Sequence, residues 1–103
     1  MTRWLFQDPP NVAVFTSWRI LRGESWIHYV SHDEADGAWQ FHPYTGPTPE
    51  SEAALVALKT IVQLDSSIAV LSDLPEGWCA WRDTPDGEWI RRRKAELWPP
   101  AES

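Results

Sequence analysis

His32, Asp33, Glu34 and Asp36 form the densest group of side chains in the sequence able to hold a divalent ion or move a proton. Imidazole and carboxylate both serve as metal ligands, and His28 lies one short step before His32. On a strand that spacing puts both histidines on one face, about 13 Å apart at ~3.3 Å per residue. They could not share one ion without a bend. The run also lacks the Asp-x-Asp-x-Asp-Gly…Glu order of a calcium loop. It reads as a solvated hairpin loop, with Asp36-Gly37 as its turn residues.

Nucleophilic chemistry finds less support. Cys79 stands between Trp78 and Ala80 in an expected strand, with no His or helix N-terminus close in sequence to lower its pKa. It reads as a buried thiol. No serine occupies a Gly-x-Ser-x-Gly elbow, and neither a phosphate-binding glycine loop nor a Cys-x-x-Cys pair is present. The expectation is a protein that is not an enzyme, with no catalytic residues, no bound metal and no cofactor.

A second cluster combines Asp65-Ser66-Ser67 with Asp73-Leu74-Pro75-Glu76-Gly77-Trp78, near Trp81 and Arg82. Asp65 suits a helix N-cap, Pro75 a helix stop and Gly77 a positive φ. Asp73, Glu76 and Trp78 are also placed to rim a surface groove.

The elements that must hold these residues follow from periodicity. Val12 to Thr16 alternates as a strand, Leu21 to Glu24 is a turn, and Ser25 to Ser31 is a second strand rich in aromatic and β-branched residues. Ala38 to His42 resumes as a third, completing an antiparallel meander. Thr48 as N-cap, Pro49 in the first turn, and Ala54, Leu55, Leu58, Ile61 and Val62 at helical spacing predict one amphipathic helix. A short helical segment after Asp65 carries Ile68, Leu71 and Leu74. Trp78 to Arg82 and Glu88 to Arg92 are strands joined by Thr84-Pro85-Asp86-Gly87, a hairpin signal. The fold class is α+β: an antiparallel sheet of about five strands, β-β-β-α-α-β-β, with one helical layer on one face.

With 103 residues, 43% hydrophobic and 23% charged, the chain suits one α+β domain. Its core should run from about 12 to 92, with the ends, 1–10 and 95–103, loose beside Pro9-Pro10 and Pro99-Pro100. No run approaches the roughly 18 apolar residues of a membrane span. The start shows no basic region followed by an apolar stretch. With its single cysteine, the chain is expected in the cytoplasm.

A formal charge of −6 disfavours nucleic acid and favours basic partners. The run Arg91-Arg92-Arg93-Lys94 reads as a solvated strand end rather than an RNA-binding patch. Eight tryptophans exceed what so small a core can cover, so two or three should stay partly exposed, where Trp serves as a binding anchor.

Val14-Phe15-Thr16-Ser17, Ile27-His28-Tyr29-Val30-Ser31-His32-Asp33 and Asp36-Gly37-Ala38-Trp39-Gln40-Phe41 resemble a bacterial family of small proteins akin to the predicted immunity-protein group thirty-three. Leu64-Asp65-Ser66-Ser67-Ile68 and Asp73 to Arg82 extend the resemblance, which covers residues 12 to 92, and the Gly-x-Trp-x-Phe segment around Trp39 carries most of it. The resemblance implies an α+β protein that neutralises a cognate toxin and brings no catalytic residues. The expected contact set is His32, Asp33, Glu34, Asp36, Trp39, Asp73, Glu76 and Trp78, meeting a protein partner such as a basic toxin. The competing readings are a small-ligand or metal-binding protein using His28, His32 and Asp33 or a Trp-lined pocket, and a homodimer joined through an exposed sheet edge.

Overall fold

The computed structural model describes residues 4–44 and 48–97. The strands are β1 (Ala13–Ser17), β2 (Ile27–His32), β3 (Trp39–Pro43), β4 (Ala53–Ala57), β5 (Trp78–Trp81) and β6 (Ile90–Arg93). The α-helices are α1 (Trp18–Leu21), α2 (Leu58–Leu64) and α3 (Lys94–Leu97), and 3-10 turns span Glu50–Glu52 and Ser66–Leu71. The α+β class holds, but the sheet has six strands in the order β4-β1-β3-β2-β5-β6 and is mixed. The expected meander is corrected at β1, which pairs with β3 in parallel rather than with β2.

The predicted long helix is also corrected. Its first half, Ala53–Ala57, is a strand antiparallel to β1, from Ala13 opposite Ala57 to Ser17 opposite Ala53. Ala-Ala-Leu-Val-Ala satisfies either period, and short apolar runs are ambiguous in this way. The ladder supplied by β1 decides it, and helix begins only at Leu58. Thr48 is not the N-cap either: the turn at Glu50 has Pro49 as cap residue and no side-chain bond there. By contrast Asp65 caps Ser66–Leu71 as expected, accepting from the Ser67 N–H.

Alternation sorts the sheet into two faces. Val14, Val30, Phe41 and Ala80 share one and meet Leu58, Ile61, Ile68, Leu71 and Leu74 from the helical layer in a single buried cluster. Each such large side chain contributes about 1.5–3 kcal/mol through burial. Phe6 joins this core at 6% exposure, although Pro9-Pro10 predicts loose chain over 1–10. Of the seven described tryptophans only Trp39 is buried; the other six are half-buried, more than the two or three expected. Trp98 lies outside the described residues, as does the rest of the tail beyond 97.

The opposite face carries Phe15, Leu55, Gln40, His42, Tyr29, Ser31, Cys79 and Trp81, placed by the strand registers. It has a polar centre with apolar side chains to either side. No described helix is long and apolar enough to cross a membrane.

Candidate functional site

The β2–β3 hairpin closes as the sequence predicts. Asp33 N–H donates to Ala38 C=O at 2.8 Å, Gly37 N–H to Asp33 C=O at 2.9 Å, and Gly37 takes φ +71°. The segment entering β5 docks beside it. Gly77, at φ +86°, donates its N–H to His32 C=O at 2.7 Å. A Cβ on Gly77 would lie 3.4 Å from Glu34 Oε1, and one on Gly37 would lie 3.0 Å from Glu76 Oε2. Glycine at these two turns therefore lets two loops distant in sequence touch.

Together they frame an open cleft of about 740 Å³ whose lining includes Asp33, Glu34, Asp36, Glu76 and Trp78 together with Arg93 and Lys94. Two separate candidates from the sequence thus become one site. Glu34, Asp36 and Glu76 are exposed, and four carboxylates outnumber two cations.

The remaining expected contact residues fall elsewhere. Asp73 is drawn away by Arg91, whose Nη1 donates to its carboxylate at 2.6 Å, holding that carboxyl below its ordinary value. Trp39 is only 2% exposed and lies in the core. His32 stacks on Trp39 with ring centroids 3.9 Å apart, and its Nδ1 donates to Leu74 C=O at 2.7 Å. His28 donates from Nδ1 to Arg82 C=O at 2.6 Å and sits against Trp26 and Tyr44. His28, His32 and Asp33 are therefore not brought together. Among the described residues no three of His, Cys, Asp and Glu are grouped to hold a metal ion.

The side chains that stand behind Asp33 are not among those expected from the sequence. Its carboxylate accepts from Lys94 Nζ at 2.9 Å, Gln40 Nε2 at 2.7 Å and Ser31 Oγ at 3.3 Å. Gln40 Oε1 is then left to accept from His42 Nε2 at 2.9 Å. That bond puts the proton on Nε2, so Nδ1 accepts from Thr48 Oγ1 at 2.8 Å. One polar chain runs across the sheet from the cleft to Thr48, and one orientation of each group satisfies it. Burial works to raise the Asp33 carboxyl, but the hydrogen bonds from Lys94, Gln40 and Ser31 outweigh it and hold the group below its ordinary value. Burial pulls His42 down, which suits the neutral tautomer. Tyr29 is pushed up by burial and by the neighbouring Cys79 thiol. The available signal was alternation: Gln40 and His42 share the face that Trp39 and Phe41 avoid.

Cys79 is fully buried, as expected of a packed thiol. Comparison with family models, with curated proteins and with solved structures returns no match to this chain.

Proposed function

We propose that this domain is a non-catalytic binding module of the immunity type, which captures a basic protein partner at the acidic cleft. The observation that carries the reading is the convergence of the 33–36 loop and the Glu76–Trp78 segment on one opening. Exposed Glu34, Asp36 and Glu76 present charge to an approaching cation, and half-buried Trp78 supplies an apolar wall. Complementary charge speeds encounter and suppresses wrong partners. Asp33, fixed by Lys94, Gln40 and Ser31, gives the cleft a rigid floor, so little ordering entropy is lost on binding. A toxin with a basic active-site groove is the partner this chemistry suits best.

The test is co-expression with a basic toxin encoded beside this protein, together with stopped-flow association of the purified pair. Protection and salt-sensitive association are expected. The double variant Glu34→Lys, Glu76→Lys, which spares the Asp36 bond to the Ala38 N–H, should slow association roughly thirtyfold at low salt with the fold retained by circular dichroism. Equal rates for the variant and the parent protein would remove the cleft as the contact site.

A further inference from the structure

Strand β4 is the first strand of the sheet, so one of its edges faces no other described strand. The phase of its ladder identifies the groups on that edge. Leu58 N–H donates to Val12 C=O at 2.8 Å, and the β1–β4 register runs unbroken from that end to Ser17 opposite Ala53. Backbone groups in an antiparallel ladder point alternately inward and outward. Ala54 and Val56 therefore turn theirs to β1, while Ala53, Leu55 and Ala57 turn theirs away.

Two of the outward groups are already used. Ala53 N–H donates to Glu50 C=O. Ala57 is the N-cap residue of α2, and its C=O accepts the first bond of that helix. What remains is the N–H and C=O of Leu55, the N–H of Ala57 and the C=O of Ala53. This set is a palindrome centred on Leu55. An antiparallel second copy, with Leu55 opposite Leu55, exchanges both Leu55 bonds and pairs each Ala57 N–H with an Ala53 C=O. No outward group that is still free is left over.

The side chains agree with that register. Ala-Ala-Leu-Val-Ala carries no charge, proline or bulge of the kind that blunts sheet edges. Leu55 is 60% exposed and its cross-strand neighbour Phe15 46%, both on the open face. A two-fold through Leu55 merges these with their copies into one apolar strip. The same operation brings the α2 end of β4, where Lys59 lies in the first helical turn, near the other end of the partner strand, where Glu50 lies in the turn before it; Glu52 is already held by Arg19. Acid at one end of the strand thus meets base at the other.

We infer that the β4 edge joins two copies of this chain into one continuous antiparallel sheet. The acidic cleft belongs to the β2–β3 loop and the β5 and β6 strands, across the sheet from β4, so both clefts stay open in the pair. The inference does not depend on what the cleft binds.

Sedimentation velocity of the full chain over a concentration series tests it. The mass should rise from 11.8 kDa to twice that value. Leu55→Lys, on an exposed side chain, should abolish the dimer. Lys59→Glu should weaken it roughly tenfold, since like charges then face each other twice. Glu50→Lys combined with Lys59→Glu should restore it, a rescue that no folding defect imitates; circular dichroism of each variant verifies the fold. A chain monomeric at every concentration, or a dimer indifferent to Leu55→Lys and to the charge swap, overturns the inference.

Discussion

Two ion pairs sit at opposite ends of the β2–β5 ladder, and they are built for different tasks. At one end Arg82, 1% exposed, donates from Nη2 to Asp65 at 2.7 Å, from Nη1 to Ser67 Oγ at 3.0 Å and from Nε to Ile27 C=O at 3.0 Å. Trp89 covers its guanidinium at 4.3 Å, and Trp26 lies 5.9 Å away. At the other end Lys94, about a third exposed, reaches Asp33 beside the open cleft. The planar fork of Arg fits three fixed acceptors, whereas a Lys ammonium is a mobile point charge. Burial and three hydrogen bonds to separate acceptors mark the first pair as a clasp. Partial exposure leaves the second able to exchange its partner.

The largest expected effect comes from breaking the clasp. Arg82→Ala leaves the Asp65 carboxylate and the Ile27 carbonyl short of partners and opens space under Trp89. The loss should be about 3–5 kcal/mol, read as a lower urea midpoint at unchanged slope. A loss under about 1 kcal/mol would make this pair no different from a surface one and dissolve the contrast. Asp65→Asn, which keeps the cap to Ser67 but removes the charge, should fall between.

These two ends were unequally legible in the sequence. Asp65 was readable as a cap because capping is local, and Asp36-Gly37 as a turn for the same reason. Arg82 stood near Asp65 in the sequence reading, but nothing local shows that its side chain would be buried under two indoles. The cleft depends on Glu34 meeting Gly77 and Gly37 meeting Glu76, contacts that only the β2–β5 pairing creates. The strand at Ala53–Ala57 escaped for a related reason: alanine and leucine fit a helix, and the deciding partner, β1, lies far back in the chain. Local chemistry could be read directly; long-range pairing could not.

A smaller effect appears with pH. His42, at the far end of the polar chain from Asp33, is held by burial below its ordinary 6.5. As pH falls through that ordinary value the unfolded chain takes up the proton first, so it binds more protons than the folded chain and stability declines. The Asp33 and Asp65 carboxyls lie below their ordinary 3.8. Their contributions are present above that value and are lost only as pH falls further, through the folded values. Stability against pH should therefore descend in two stages. His42→Asn should erase the first and leave the second; an unchanged first stage would place that titration on another group.

The smallest effect on stability, and the sharpest test of the contrast, is Lys94→Met. A pair this exposed contributes under about 1 kcal/mol, and methionine keeps much of the apolar stem. Asp33 retains its bonds from Gln40 and Ser31, so the floor of the cleft should survive while losing one positive charge. Stability should barely move, yet the cleft becomes more acidic. If it receives a cation from a protein partner, Lys94 is a stand-in that the partner displaces, and Lys94→Met should bind faster and hold longer. The matching change at the clasp, Arg82→Met, should do the reverse, costing stability without improving association. Slower association for Lys94→Met would instead make Lys94 a contact residue, with the partner's carboxylate rather than its cation entering the cleft.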